Sequence, residues 1–435
     1  MNQQEFKRRR SALMRMMGKG SIAIIPAAGE KLRNSDVTYR FRQDSDFQYL
    51  TGFPEPDAVA VLIPGRKQGD YVMFCRERNP ERETWNGRRA GPEGAVRDYG
   101  VADAFPIGDI DEILPGLIES RDRVYYTMGV FAEFDRRVIG WLNNLRARTR
   151  GGVQTPKEII VLEHLLHDLR LYKSRAEIRM MKRAAAISME AHRRAMQRAR
   201  PGLYEYALEA EFQGYFCAQG AREAYGIIVG SGENGCILHY VENNRRMQEG
   251  DLVLIDAGCE CEGYAADITR TFPVNGHFTP AQRAIYDLVL AAQKAAIARC
   301  RPGRRFNEAY EATVRVITRG LLRLGLLKGR LNSLIRDEAY RRFYMHRAGH
   351  WLGLDVHDVG DYKVSGAWRE LEPGMVLTIE PGIYIPPGSR GIAKKWQGIG
   401  IRIEDDILVT ADGPEVLTQG LVKEADAIEA WMRAV

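Results

Sequence analysis

Nowhere in this chain do about 18 apolar residues follow one another, the length a membrane-spanning helix requires, so neither a membrane span nor a membrane partner is expected. A cysteine framework is missing too. The six cysteines, Cys75, Cys217, Cys236, Cys259, Cys261 and Cys300, are scattered, which fits a reducing cytoplasm better than an oxidising compartment. The opening MNQQEFKRRRSALMRMM carries charge but no apolar stretch ahead of a cleavage site, so no secretory signal is expected and the localisation expected is cytoplasmic. Nor is there a strong excess of one charge: 63 Lys and Arg oppose 57 Asp and Glu, a net +6. The arginine pairs are spread out, without aromatic interleaving or a basic stripe, which leaves nucleic acid off the expected partners.

At 435 residues the chain exceeds what one hydrophobic core usually supports, and two domains are expected, 1–170 and 171–435. The first reads as α/β, with strand-like SIAIIPA, AVAVLIP, YVMFC and RVYYTMG and a helix from about Phe131 to Arg146. Gly151 to Pro156 is a turn-rich break, and the residues after it, 157–170, are expected to be helical. A long helix capped by Ser174 and stopped by Pro201 then opens the second domain.

That second domain sets acids at the ends of apolar runs. Asp256 closes LVLIDAG and Asp267 follows in YAADITRTF, which predicts a hairpin with the two carboxylates across from each other. Glu380 closes MVLTIEPG, and Glu404 lies on the return GIRIEDDILV, where Ile401, Ile403 and Ile407 alternate with polar residues at the period of a half-buried strand. The two runs are copies of each other. Laid without gaps, EGDLVLIDAG over PGMVLTIEPG puts Gly250 on Gly374, Ile255 on Ile379, Asp256 on Glu380 and Gly258 on Gly382. An acid at one place in a shared glycine frame predicts an internal duplication, each half delivering two carboxylates to a common centre. A weaker echo agrees: helical stretches end in ArgProGly at 200–202 and again at 301–303.

Four carboxylates gathered in one buried spot cannot all stay ionised without cations. Buried acids need partners, and no matching set of lysines or arginines accompanies all four. With His350 as a fifth donor and no thiolate, two divalent ions are expected, of the manganese, cobalt, zinc or magnesium kind. In such sites the ions lie roughly 3.5–4 Å apart around a shared water that yields hydroxide near neutral pH, which points to hydrolysis.

The segments GSGENGCILHYVEN, VLIDAGCECEGYAADITRTFPVNG, HWLGLDVHDVG, LEPGMVLTIEPGIY and GIGIRIEDDILVT resemble those of the aminopeptidase P (Xaa-Pro aminopeptidase) branch of the pita-bread metallopeptidases. YRFRQDSDFQYLTGF and RERNPERETWNGRRAG are similar to that family's N-terminal domain. The resemblance implies an α/β chain: an α+β pita-bread catalytic domain with internal pseudo-twofold duplication over 171–435, preceded by an N-terminal α/β domain over 1–170. It also implies roles. Asp256 would chelate one ion, Asp267 and Glu404 would bridge both, and His350 and Glu380 would hold the other, Glu380 also accepting a proton from the bridging water. His239 and His357 would hydrogen-bond the substrate and support charge on the tetrahedral intermediate. His346 would sit near the leaving proline. Arg402, two residues before Glu404, would orient ligating carboxylates. The implied cofactor is a pair of Mn2+ ions, with Zn2+ or Co2+ as alternatives, and the implied substrates are peptides with proline second. Trp85 resembles a tryptophan that family members lend to a neighbouring subunit's site, so a homo-oligomer, dimer or tetramer, is expected.

One departure stands out. In MHRAGHWLG, Arg347 occupies a place where the family has a small residue; its guanidinium could line a wall, face solvent, or bind a substrate carboxylate and so favour dipeptides. Tyr225, Tyr240, Tyr384 and Trp351 could contribute to an apolar wall that selects proline, but aromatics on strands are far more often ordinary core and none of the four is expected as a site residue; the loop IPPGSRGIAKKWQG at 385–398 is a candidate rim. Three other motifs are not expected to be sites. EHLLH at 163–167 reverses the zinc-protease order, Cys259 and Cys261 lack zinc-knuckle spacing, and GSGENG at 230–235 lacks the lysine of a phosphate loop. The competing functions are a prolidase cleaving Xaa-Pro dipeptides, a metal-free amidinohydrolase on the same fold, and a non-catalytic binding module. The complete donor set counts against the last two.

Overall fold

The computed structural model describes residues 1–433, and the chain falls into two compact units, Met1–Arg170 and a second from Leu171 onward. In the first, six strands form one mixed sheet in the spatial order Asp103–Pro106, Tyr71–Cys75, Val59–Leu62, Ser21–Pro26, Arg123–Tyr126, Glu158–Val161. Ser21–Pro26 runs antiparallel to Val59–Leu62 and parallel to Arg123–Tyr126. Both central strands are buried at every position, as a sheet covered on its two faces requires, and this is why they read as continuous apolar runs. Ile24, Val61 and Phe74 pack with Leu114, Trp141 and Leu142 from the helices Ile110–Ile118 and Ala132–Ala147.

The helix expected over 157–170 is divided. Glu158–Val161 is an edge strand parallel to Arg123–Tyr126, and the helix runs only from Glu163 to Leu171. The β-branched run Ile159, Ile160 and Val161 favours the strand. Within EHLLH, His167 lies 3.2 Å from Asp46, which Arg170 also meets at 2.6 Å, a local ion cluster. Among the described residues no helix is long and apolar enough to cross a membrane.

The second unit opens with the helix Arg175–Arg198, started by a capping box between Ser174 and Glu177. Its duplicated halves are strand pairs. Leu252–Asp256 lies antiparallel to Thr269–Pro273 with Asp256 opposite Thr269, and Val376–Ile379 lies antiparallel to Asp405–Thr410 with Ile379 opposite Asp405. Each half therefore puts one acid at the end of the outgoing strand and another just before the return strand begins.

The first pair of acids is not the simple hairpin that the spacing predicts. Between them Cys259–Cys261 and Tyr264–Ala265 form their own small antiparallel arm, so Asp267 sits in the segment re-entering the sheet rather than on a strand facing Asp256. Gly258 makes that re-entry possible. A Cβ there would lie 1.8 Å from the carbonyl oxygen of Ala266. In the second half, Gly382–Ile385 pairs with Ile399–Arg402, and the 386–398 loop joins them.

Candidate metal centre

Asp256, Asp267, His350, Glu380 and Glu404 converge where the strands of the two halves end. Donor atoms of Asp267, His350 and Glu404 all lie within 4.8 Å of one another. His350 Nε2 is 3.4 Å from Asp267 Oδ2 and 3.8 Å from Glu380 Oε1. Asp256 joins through Tyr225, whose hydroxyl is 2.7 Å from Asp256 Oδ1 and 2.6 Å from Asp267 Oδ1. One O–H proton can serve only one of those acceptors at a time.

The backbone holds the histidine in place. His350 Nδ1 donates to its neighbour's carbonyl, Trp351 O, at 2.9 Å, which leaves Nε2 as the ring atom aimed at the carboxylates. Gly349 lets this segment lie against the strand that leads to Glu380, since a Cβ there would meet Thr378 O at 1.9 Å.

The surrounding groups grip the acids. Arg402 Nη2 donates to Asp256 Oδ2 at 2.6 Å, and its Nε donates at 3.1 Å to Thr269 Oγ1, whose hydroxyl donates to Glu404 Oε2 at 2.7 Å. Arg402 thus touches Asp256 directly and Glu404 only through Thr269. Asp406 accepts the Asp267 backbone N–H at 3.2 Å. His346 Nδ1 donates to Arg347 O at 2.7 Å, and its Nε2 accepts from Tyr384 Oη at 2.9 Å. Arg402 Nη1 donates to the same Tyr384 oxygen at 3.0 Å.

His239 and His357 are exposed. The His357 ring stands edge-on to that of His350, centroids 4.3 Å apart. Asp358, the residue after it, is buried against Lys173, Nζ to Oδ2 2.8 Å. Arg347 is exposed and stacks its guanidinium over Tyr310 at 4.9 Å and Trp368 at 5.9 Å. Trp351 is not a wall of the site: it is fully buried and packs against Phe306 and Tyr362.

The electrostatics describe a site short of positive charge. Burial drives Glu404 well above the usual carboxylate range, with the charge of Asp267 adding to it, and burial pushes Glu380 up to about 7. Asp256 is raised as well, by burial that Arg402 only partly offsets. Asp267 goes the other way: burial raises it, but its contact with His350 outweighs that and holds it below the ordinary value. Burial likewise lowers His350, yet the neighbouring carboxylates win and lift it to about 9. Acids that resist ionisation beside a histidine that keeps its proton are what a cluster of like charges gives when only protons neutralise it. Divalent cations fit the same donors, four carboxylates and one imidazole with an anchored Nδ1, better than protons do.

Two partners escaped the sequence reading. Tyr225 stood there only as a possible wall residue, and Thr269 was not singled out. Neither carries a charge or a motif of its own, and each reaches the acids only once the strands pair. The one available signal was the placement of Thr269 within the acidic hairpin.

Residues 179–411 match the family model of metallopeptidase family M24, and residues 6–125 match that of the aminopeptidase P N-terminal domain. The Xaa-Pro aminopeptidase of Escherichia coli K12 is 49% identical over 435 residues, covering 100% of this chain and 98% of that protein. The Xaa-Pro aminopeptidase of Haemophilus influenzae is 44% identical, over 99% and 97% of the two chains. Among solved structures, the aminopeptidase PepP of Pseudomonas aeruginosa superposes with a TM-score of 0.99 at 61% identity, over 100% of this chain and 98% of that one. The zinc-substituted E. coli aminopeptidase P in complex with product superposes with a TM-score of 0.97 at 49% identity, over 100% and 99%.

Proposed function

The chain belongs to metallopeptidase family M24, with an aminopeptidase P N-terminal domain ahead of the catalytic one, and from that membership we propose that it is a metal-dependent exopeptidase releasing the N-terminal residue of peptides whose second residue is proline. The observation that carries this is the meeting of all four strand-end carboxylates and His350 at one centre.

In this reading Asp256, Asp267, His350, Glu380 and Glu404 hold two divalent ions, manganese with zinc or cobalt as alternatives. When bound, such ions polarise the scissile carbonyl and make a water molecule nucleophilic near neutral pH. Glu380, 3.8 Å from His350 at the centre, would accept the proton that the attacking water loses, the role the family resemblance gives it. The proton passes to the prolyl nitrogen as the C–N bond breaks. His239 and His357, both exposed and the latter edge-on to His350, would donate hydrogen bonds to the substrate carbonyl and to the charge that develops on it. His346, pushed down to about 4 mainly by burial, is neutral at working pH and lies beside the leaving proline. Arg402 and Tyr225 fix the carboxylates they touch. Trp85, 84% exposed on a helix with no buried residue, supports a homo-oligomeric assembly in which a neighbouring chain covers it.

The test is turnover of Xaa-Pro, Xaa-Pro-Xaa and Xaa-Ala peptides with chelator and with added manganese. Cleavage of Xaa-Pro-Xaa that chelator abolishes is the expected result. Cleavage confined to the dipeptide favours prolidase, and turnover unaffected by chelator contradicts the metal mechanism.

A further inference from the structure

The loop 386–398, between the strands Gly382–Ile385 and Ile399–Arg402, contains Arg390, Lys394 and Lys395 and no acid. All three cations are exposed, and the loop that carries them is tied by its own hydrogen bonds. Gly388 N–H donates to Gln397 Oε1 at 2.8 Å, Gln397 Nε2 donates to Ile392 O at 2.8 Å, and Trp396 is buried beneath. A fourth exposed cation, Arg342, donates to the carbonyl of Arg390 from a neighbouring segment. Among the described residues none of these four meets a carboxylate; the nearby acids Asp337 and Glu338 are taken by Arg336 and Arg341.

Both segments lead into the candidate site. Tyr384 N–H donates to Phe343 O at 2.9 Å, and the Tyr384 hydroxyl meets His346 at 2.9 Å. The segments that carry the cations are thus tied at their bases to Tyr384 and His346, the groups assigned to the leaving-proline side.

We propose that Arg342, Arg390, Lys394 and Lys395 form a cationic rim that recognises acidic side chains in the peptide downstream of the proline. This rests on the peptidase reading above. A substrate of that kind carries a positive amine at the end that is cleaved, which a rim of like charge repels, and beyond the proline a terminal carboxylate together with whatever charge its sequence supplies. Acidic residues there are drawn towards cations that, among the described residues, form no ion pair of their own. A loop tied by its own hydrogen bonds also loses less conformational freedom on binding than one without them.

The experiment compares kcat/KM of the metal-loaded full chain on Xaa-Pro-Glu-Glu, Xaa-Pro-Ala-Ala and Xaa-Pro-Lys-Lys, all C-terminally amidated to remove the terminal carboxylate. Calorimetric binding of reduced-bond analogues of the same peptides gives a readout independent of turnover. The expected result is a preference of about tenfold or more for the acidic over the basic peptide, shrinking at about 0.5 M salt as the charges are screened. The triple variant Arg390→Gln, Lys394→Gln, Lys395→Gln loses that preference and keeps its rate on the neutral peptide. Because Arg342 also supports the loop, Arg342→Gln is made separately and scored by the same ratio. Normal cleavage of the neutral peptide with no charge preference, or a preference unchanged in the triple variant, overturns the rim alone. No cleavage of any of the three overturns the peptidase reading itself.

Discussion

Lys173 and Asp358 form an ion pair inside the second unit, Nζ to Oδ2 2.8 Å, with each side chain 1% exposed. Gly353 packs so closely on the pair that a Cβ there would lie 2.1 Å from Asp358 Oδ2. Since Asp358 follows His357, the pair sets where that histidine can stand. Breaking it leaves a buried charge uncompensated, so Lys173→Met is expected to cost about 3–5 kcal/mol of stability in denaturant titration. Lys173→Met combined with Asp358→Leu should recover most of that loss. A single variant as stable as the parent would show that the charge has another outlet.

Tyr225 bridges the two acids of the first half. Removing its hydroxyl by Tyr225→Phe frees Asp256 and Asp267 to turn, and metal affinity should fall by roughly 10–100-fold, the usual effect of deleting a group that orients metal ligands. Competition with a fluorescent chelator measures this directly. Unchanged affinity would reduce the tyrosine to a packing residue.

Arg347 stands where the family resemblance implies a small residue, and its guanidinium stacks over Tyr310 and Trp368. If it binds a dipeptide's terminal carboxylate, Arg347→Gly should lower the ratio of Xaa-Pro to Xaa-Pro-Xaa turnover by about tenfold, the scale of one charge-assisted hydrogen bond. A ratio unchanged in steady-state kinetics removes that role.

His192 carries a pH prediction. It is fully buried, Nε2 lying 3.0 Å from Ala257 O, and burial pushes it down to about 3. Its folded pKa lies below the unfolded value near 6.5, so the unfolded chain binds the proton first. The associated stability is intact above about pH 6.5 and falls by up to roughly 1.4 kcal/mol per pH unit below it. In urea melts from pH 7 to pH 4, His192→Gln should show a shallower decline than the parent; equal slopes would mean that another group governs acid sensitivity.

The acids were legible in the sequence because duplication marks them twice: Asp256 and Glu380 occupy the same place in one glycine frame, and both end apolar strands. The family-like segments carried the rest of the donor set. What stayed hidden depends on pairing. Thr269 reaches Glu404 and Arg402 reaches Asp256 across strands that only the folded chain brings together. Asp267 was expected opposite Asp256, but the Cys259–Cys261 arm intervenes, and nothing in an alternating pattern distinguishes such an arm from a continuing hairpin. Trp351 stayed open between wall and core because an aromatic beside a motif histidine reads the same whether it faces the cleft or the core; its full burial and its stacking on Tyr362 place it in the core. The strand Glu158–Val161 was missed because a short apolar run next to a helix has no period of its own.

Anomalous diffraction from a manganese-loaded crystal tests the central claim most directly. The expected result is two peaks about 3.5–4 Å apart, both enclosed by Asp256, Asp267, His350, Glu380 and Glu404. A single peak, or peaks away from those five side chains in a crystal of active protein, would contradict it.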